Sequence, residues 1–272
     1  MIALNTEDFT VVKYTLRARC MHYNISIIYP VPHLPKICCN FYHFCAQYLL
    51  YFLLFPSSFY ANKTMVENIQ AQNIELYQLQ EKFGLQPTDD DQFFREWQDN
   101  LPELSDQEKW ELDEVKKDYF HLSRYPILEP IVKMVVLSPL LKLGGFYRPP
   151  FYLSAEKEVQ IVSEDKGTIV KGRLDLLIFT PHFWIMAIES KRAKYSLEAG
   201  IPQTLAYMLG NLDTPKPAFG FVTNGNEFSF LKLIQQNEPI YSQSYPFALN
   251  RQDDIYVVLQ ILKRLAQVVI SS

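Results

Sequence analysis

The chain has 272 residues, 48% hydrophobic and 21% charged, with 26 basic and 30 acidic side chains for a net charge of −4. That length holds one or two domains, and the acidic balance excludes a protein that grips nucleic acid through global basicity. All four cysteines lie before residue 46, and the adjacent Cys38-Cys39 pair lacks zinc-ligand spacing. The remainder therefore needs no disulfide and fits a reducing cytoplasm.

Residues 1–64 read unlike the rest. They hold the four Cys, seven of the 17 Tyr and only seven charged residues, with no sustained helical or strand period. At Met65 the composition changes abruptly. The expectation is a poorly ordered tail, or an extension wrongly joined to a protein that starts at Met65. The apolar run 44–55 falls short of the ~20 residues a spanning helix needs and lies too far from the N-terminus for a signal peptide. This argues against a membrane, and a protein membrane-associated through residues 44–55 is kept as an alternative. Five of the 26 basic and two of the 30 acidic residues precede Met65, so residues 65–272 carry −7.

Residues 65–125 read as an accessory helical segment. A helix over 65–83 stops at Gly84, a second spans 92–100, and Ser105-Asp-Gln-Glu108 is a capping box ahead of the stripe Leu112, Val115, Tyr119 and Leu122. An apolar helix over 126–143, ending at Gly144-Gly145, opens the main domain, 126–272. Residues 151–163 form its first strand.

The most informative stretch follows. Residues 173–179 and 183–191 read as strands rich in Leu, Ile, Phe and Trp around a Thr-Pro-His turn. A turn at 180–183 makes opposed residue numbers sum to about 363, which sets Asp175 opposite Ile188 or Glu189. Glu189 and Lys191 share a strand face, and with a register slip of one or no residues Asp175 joins them on it. Apolar strands carry two acids only if something compensates them, and a divalent metal would. The tripeptide Glu-x-Lys also occurs at Glu114-Val-Lys116 and Glu164-Asp-Lys166, but in polar settings. A cross-strand salt bridge among Asp175, Glu189 and Lys191 is the plainer alternative.

Residues 196–210 read as a helix entry and a helix, with Gln203 and Tyr207 four apart on one face. Residues 218–233 read as two strands around Asn224-Gly225, a strong hairpin signal. A closing helix occupies 251–268.

Asp175, then Glu189-x-Lys191, then Gln203-x-x-x-Tyr207 resembles the PD-(D/E)xK nuclease superfamily. The resemblance covers residues 126–233. It is greatest to the RecB-like branch and the N-terminal nuclease domain of type I restriction enzyme R subunits, which tend to carry a Thr-Asn-Gly hairpin like Thr223-Asn224-Gly225. Leu174 stands where the family often has Pro. The resemblance implies an α/β, restriction-endonuclease-like core, a mixed central β-sheet flanked by helices, here behind an N-terminal helical segment. It implies phosphodiester hydrolysis with Mg2+, or Mn2+ in its place, held by Asp175, Glu189 and an upstream acid, Glu129 or Glu158. Lys191 would stabilise developing charge, Gln203 would orient substrate or water, and Tyr207 would position Lys191. Lys171, Arg173, Arg192 and Lys194 cluster around the hairpin as phosphate contacts. DNA is the expected substrate, with a homodimer or partner subunit adding affinity. No Walker A pattern is present, so no nucleotide motor is expected in this chain. The alternative is a catalytically weak nuclease-fold module that binds nucleic acid or protein.

Overall fold

The computed structural model describes residues 9–18, 21–30, 67–163, 167–180, 183–190, 196–210, 216–235 and 238–270. The chain divides into two units, Met1–Asn62 and Lys63–Ser272. In the first, β1 (Phe9–Ala18) and β2 (Met21–Pro30) form an antiparallel pair, from Phe9 opposite Pro30 to Ala18 opposite Met21. The apolar run 44–55 lies outside the described residues. Among those described, no helix is long and apolar enough to cross a membrane.

The second unit is a mixed α/β structure, a central mixed sheet flanked by helices. Its elements are β3 (Glu67–Gln70), α1 (Leu76–Phe83), β4 (Gln86–Pro87), α2 (Asp106–Leu122), α3 (Glu129–Val132), α4 (Ser138–Leu143), β5 (Tyr152–Ser163), β6 (Thr168–Thr180), β7 (Phe183–Ser190), α5 (Ile201–Leu209), β8 (Ala218–Thr223), β9 (Glu227–Ile234), β10 (Ile240–Gln243), β11 (Phe247–Ala248) and α6 (Asp254–Ile270). The sheet runs β3-β6-β7-β8-β9-β10-β4, with β5 on β6 and β11 on β9. The β7–β8, β3–β6 and β4–β10 pairings are parallel and the rest antiparallel.

Strand alternation splits the core into two layers. Ile178, Met186, Ile188, Phe219, Phe221, Phe228 and Phe230 face one cluster, shared with α2, α3, α4 and α6. Val170, Leu174, Leu177, Val222, Leu231 and Leu233 face the other, shared with α1 and α5. Strands covered on both faces read as nearly continuous apolar runs, as β8 does, buried at every residue.

Two expectations need correction. Residues 67–70 are a strand, not the start of a helix, and the helix begins only at Leu76. This Glu-Asn-Ile-Gln segment carries no apolar alternation. Its state comes from pairing with β6, from Glu67 opposite Thr168 to Gln70 opposite Lys171, and Lys82 of α1 forms an ion pair with Glu67. Residues 92–100 are turns rather than a helix, held to the sheet by Lys232 of β9, which donates to the Phe93 carbonyl at 2.7 Å and to Glu96 at 2.6 Å. The capping box at Ser105 is present, and Leu112, Val115 and Tyr119 are buried, whereas Leu122 is exposed.

The apolar helix after Pro126 is interrupted. A π turn, Lys133–Leu137, separates α3 from α4. Pro139 has no N–H to offer the preceding turn, and helices absorb such a loss by local widening or kinking.

Candidate functional site

β6 meets three strands. β5 pairs along one edge, from Tyr152 opposite Phe179 to Ser163 opposite Thr168. On the other edge β3 takes Thr168–Lys171 and β7 takes Leu176–Thr180. The stretch 172–175 lies at the junction between those pairings. The hairpin begins as its turn dictates, Thr180 opposite Phe183 and Phe179 opposite Trp184. A bulge at Ile185 then moves the register to Ile178 opposite Met186 and Leu176 opposite Ile188. The pairing ends there, and Asp175 and Glu189 are the next residues along their two strands.

Adjacency in register does not by itself put the two carboxylates on one face. β6 changes phase at Asp175. Val170 and Leu174 belong to the α5 layer, yet so does Leu177, while Leu176 and Ile178 belong to the other. Opposite this irregularity Glu156 has a positive φ of 52°, and the β5–β6 ladder skips from Ala155 opposite Leu176 to Lys157 opposite Leu174. Asp175 is met from the α3 layer, where Lys133 donates to Oδ1 at 2.9 Å and to Oε1 of Glu129 at 2.7 Å. Glu189 follows Ile188 and so turns towards α5, with 3% of its surface exposed. The acids thus converge on the junction from the two layers, a modification of the shared face expected from alternation.

Tyr207 links them. Its hydroxyl donates to the Arg173 carbonyl at 3.0 Å and accepts from Gln203 Nε2 at 2.9 Å. Burial raises its pKa, and the charges of Glu189 and Asp175 raise it further, against the lowering effect of Gln203 and the Arg173 backbone. Both carboxylates therefore act on one hydroxyl. The contact requires glycine at 172: a Cβ there would lie 2.5 Å from Ala71 Cβ and 2.7 Å from the Tyr207 hydroxyl.

Glu129 opens α3, where an acid suits the helix dipole, and Lys133 stands one turn later. Burial lowers the Lys133 pKa, but the hydrogen bonds and charges of Glu129 and Asp175 outweigh it and leave it above the ordinary value. The neighbouring hairpin supports this helix. At Gly225, φ is +86° and a Cβ would meet Val132 Cγ1 at 3.0 Å and Tyr119 Cε2 at 2.8 Å. Thr223 Oγ1 accepts from Gly225 N at 2.9 Å, and Asn224 Oδ1 accepts from Glu227 N at 2.8 Å, closing the turn.

Of the expected site residues, Glu129 and Asp175 meet through Lys133, and the bonded pair Gln203 and Tyr207 lies near Asp175 and Glu189. Glu158 does not join them. It is exposed on β5 and pairs at 3.5 Å with Arg173, which also meets Glu156 at 3.3 Å. Lys171 and Arg173 line, with Gln70, Glu158 and Gln160, an open groove of about 380 Å3 along β6. Lys191, Arg192 and Lys194 lie outside the described residues, as does Glu164-Asp-Lys166. Lys133 was missed, although its i+4 spacing from Glu129 is visible in the sequence.

Carboxylate oxygens are the donors hard divalent cations take, and Asp175 already holds a cationic group, the Lys133 ammonium. The residues present fit such an ion in donor type. No three His, Cys, Asp or Glu among the described residues gather closely enough to ligate a metal together.

No family model matches the chain, and no curated protein matches it. Among solved structures it is similar to the fragment structure of a putative HsdR subunit of a type I restriction enzyme from Vibrio vulnificus YJ016. The two are 21% identical with a TM-score of 0.32, over 52% of this chain and 26% of that one. The chain thus spans about a quarter of that structure's length, and a likeness of this extent carries no functional argument.

Proposed function

We propose that this chain is a metal-dependent phosphodiesterase of the PD-(D/E)xK kind with a restriction-endonuclease-like core, and that it hydrolyses DNA. One observation carries the reading: Asp175 and Glu189 directly follow the last β6–β7 rung, Leu176 opposite Ile188, at the junction where the Tyr207 hydroxyl, held by Gln203, bonds to the Arg173 carbonyl. Mg2+ or Mn2+, held by Asp175 and Glu189 with Glu129 at hand, would supply Lewis-acid polarisation of the phosphate and the attacking water. The chain's own residues supply the rest. Tyr207 fixes the Arg173 carbonyl and thereby the backbone from which Asp175 projects. Gln203 holds that hydroxyl. Lys191 stabilises charge developing on the phosphate. Lys171, Arg173, Arg192 and Lys194 position the DNA backbone, and a homodimer or partner subunit offsets the net charge of −7 on residues 65–272.

The test is Mg2+- or Mn2+-dependent cleavage of supercoiled plasmid and single-stranded DNA by wild type, Asp175→Asn, Glu189→Gln and Lys191→Ala. Each substitution is expected to reduce cleavage at least about a hundredfold. Equal nicking by all four proteins would discredit the reading. A nuclease-fold binding module is the second reading, favoured by the acidic charge and by an ammonium seated on Asp175. DNA retention without cleavage, unchanged by Asp175→Asn, would support it instead.

A further inference from the structure

We infer that Lys133 is the resident counter-ion of this site, an internal ammonium that a divalent cation must displace from Asp175. It thereby sets the metal affinity of the protein. The inference rests on the metal-site reading above and goes beyond it by assigning a regulator within the chain.

Three observations carry it. Lys133 Nζ lies 2.9 Å from Asp175 Oδ1 and 2.7 Å from Glu129 Oε1, so one ammonium is shared by two carboxylates that the site offers to a metal. Its side chain is 32% exposed, against 15% for Asp175, so of the two partners the lysine is the one in contact with more solvent. It also opens the π turn Lys133–Leu137, where the ordinary helical ladder is already broken. Such turns recur at functional sites. A cation entering at Oδ1 would share that oxygen with a like charge, and two like charges this close repel strongly in a half-buried setting. Lys133 must therefore leave Asp175, either for Glu129 alone or for a phosphate oxygen of the substrate. In the absence of metal the same ammonium keeps the acids from repelling one another.

Calorimetric titration of the full chain with Mn2+ separates the outcomes. Lys133→Met is expected to bind Mn2+ about tenfold more tightly than wild type or better, while Lys133→Arg, which keeps the charge, stays within about threefold. If wild type binds Mn2+, Asp175→Asn does not, and Lys133→Met is no tighter than wild type, the counter-ion role is overturned and the metal site stands. If neither wild type nor Lys133→Met binds, the metal site and the inference fall together. Should Lys133→Met not fold, the wild-type 15Nζ resonance of Lys133, assigned by its absence in Lys133→Arg, gives the same answer. It is expected to shift on Mg2+ addition in step with the binding heat, and a resonance unmoved at saturating Mg2+ overturns the proposal.

Discussion

Two lysines buttress this sheet, and they do opposite things. Lys232 points from β9 to the turn region 91–100, where its ammonium has one carboxylate, Glu96 at 2.6 Å, and one neutral partner, the Phe93 carbonyl at 2.7 Å. The pair is deep, with side-chain exposures of 10% and 17%, and it balances in charge. Lys133 instead bridges two carboxylates, Glu129 and Asp175, and the buried Glu189 lies just past the last β6–β7 rung. Buried charge costs several kcal/mol unless compensated. A balanced pair answers that cost and closes a structure. An ammonium bridging two carboxylates can be exchanged for another cation without stranding either acid, which is why the second site, not the first, is the place to look for chemistry.

Breaking the balanced pair should have the largest effect. Lys232→Met strands the Glu96 carboxylate and frees the turns 91–100, with an expected loss of about 3–5 kcal/mol by urea unfolding that Mg2+ does not restore. A loss under about 1 kcal/mol would show that Lys232 is not what compensates Glu96. Next comes Gly225→Ala, which strikes only the Lys133 side. It combines a side chain at φ +86° with contacts of 2.8 Å to Tyr119 and 3.0 Å to Val132, for an expected cost of about 2–4 kcal/mol. Because Val132 precedes Lys133, the same variant should lose Mg2+ binding along with thermal stability. A destabilised variant with unaltered Mg2+ affinity would show that the hairpin does not place α3.

The balanced pair and the bridged acids were unequally legible in the sequence. Turn chemistry placed the β6–β7 hairpin within one residue: the sum of 363 holds at Thr180–Phe183, and the bulge at Ile185 makes it 364 at Leu176–Ile188. The Gln203-Tyr207 spacing became a hydrogen bond, and Asn224-Gly225 a turn, because those patterns are settled by contacts within a few residues. What failed was settled at long range. Glu67–Gln70 is exposed and polar except at the half-buried Ile69, and becomes a strand through its pairing with an edge of β6. The phase change at Asp175 depends on Glu156 of the facing strand. Lys232 and Glu96 are 136 positions apart, and no local pattern announces such a partner.

A smaller test sharpens the role of Tyr207, which stands between the acids. Tyr207→Phe removes the donor to Arg173 O and one partner of Gln203, for about 1–2 kcal/mol of stability. If Tyr207 positions Asp175 through the backbone, Mn2+ affinity falls together with stability. An unchanged affinity would reduce the tyrosine to packing.

The smallest expected effect comes from a third pair that shares features of both lysines. Lys263 of α6 donates to Glu108 Oε1 at 2.5 Å, one charge against one as at Lys232, with side-chain exposures of 25% and 18%. Glu108 also accepts from the backbone N–H and hydroxyl of Ser105 at the start of α2. Burial raises the Glu108 pKa, but the bonds from Lys263 and Ser105 together outweigh it and leave it below the ordinary 4.5. A carboxylate with a depressed folded pKa adds stability above its unfolded value and loses it as pH falls through the folded one. Glu108→Gln should therefore cost about 0.5–1.5 kcal/mol near neutrality, and the gap to wild type should narrow as the pH drops below 4.5. Gln keeps an acceptor for Ser105 but not the carboxylate charge that Lys263 and Ser105 both favour, so the narrowing reports protonation of Glu108. A gap that stays constant from pH 7 to the acid transition would mean that the carboxylate charge contributes nothing and that neutral hydrogen bonding suffices to join α2 to α6.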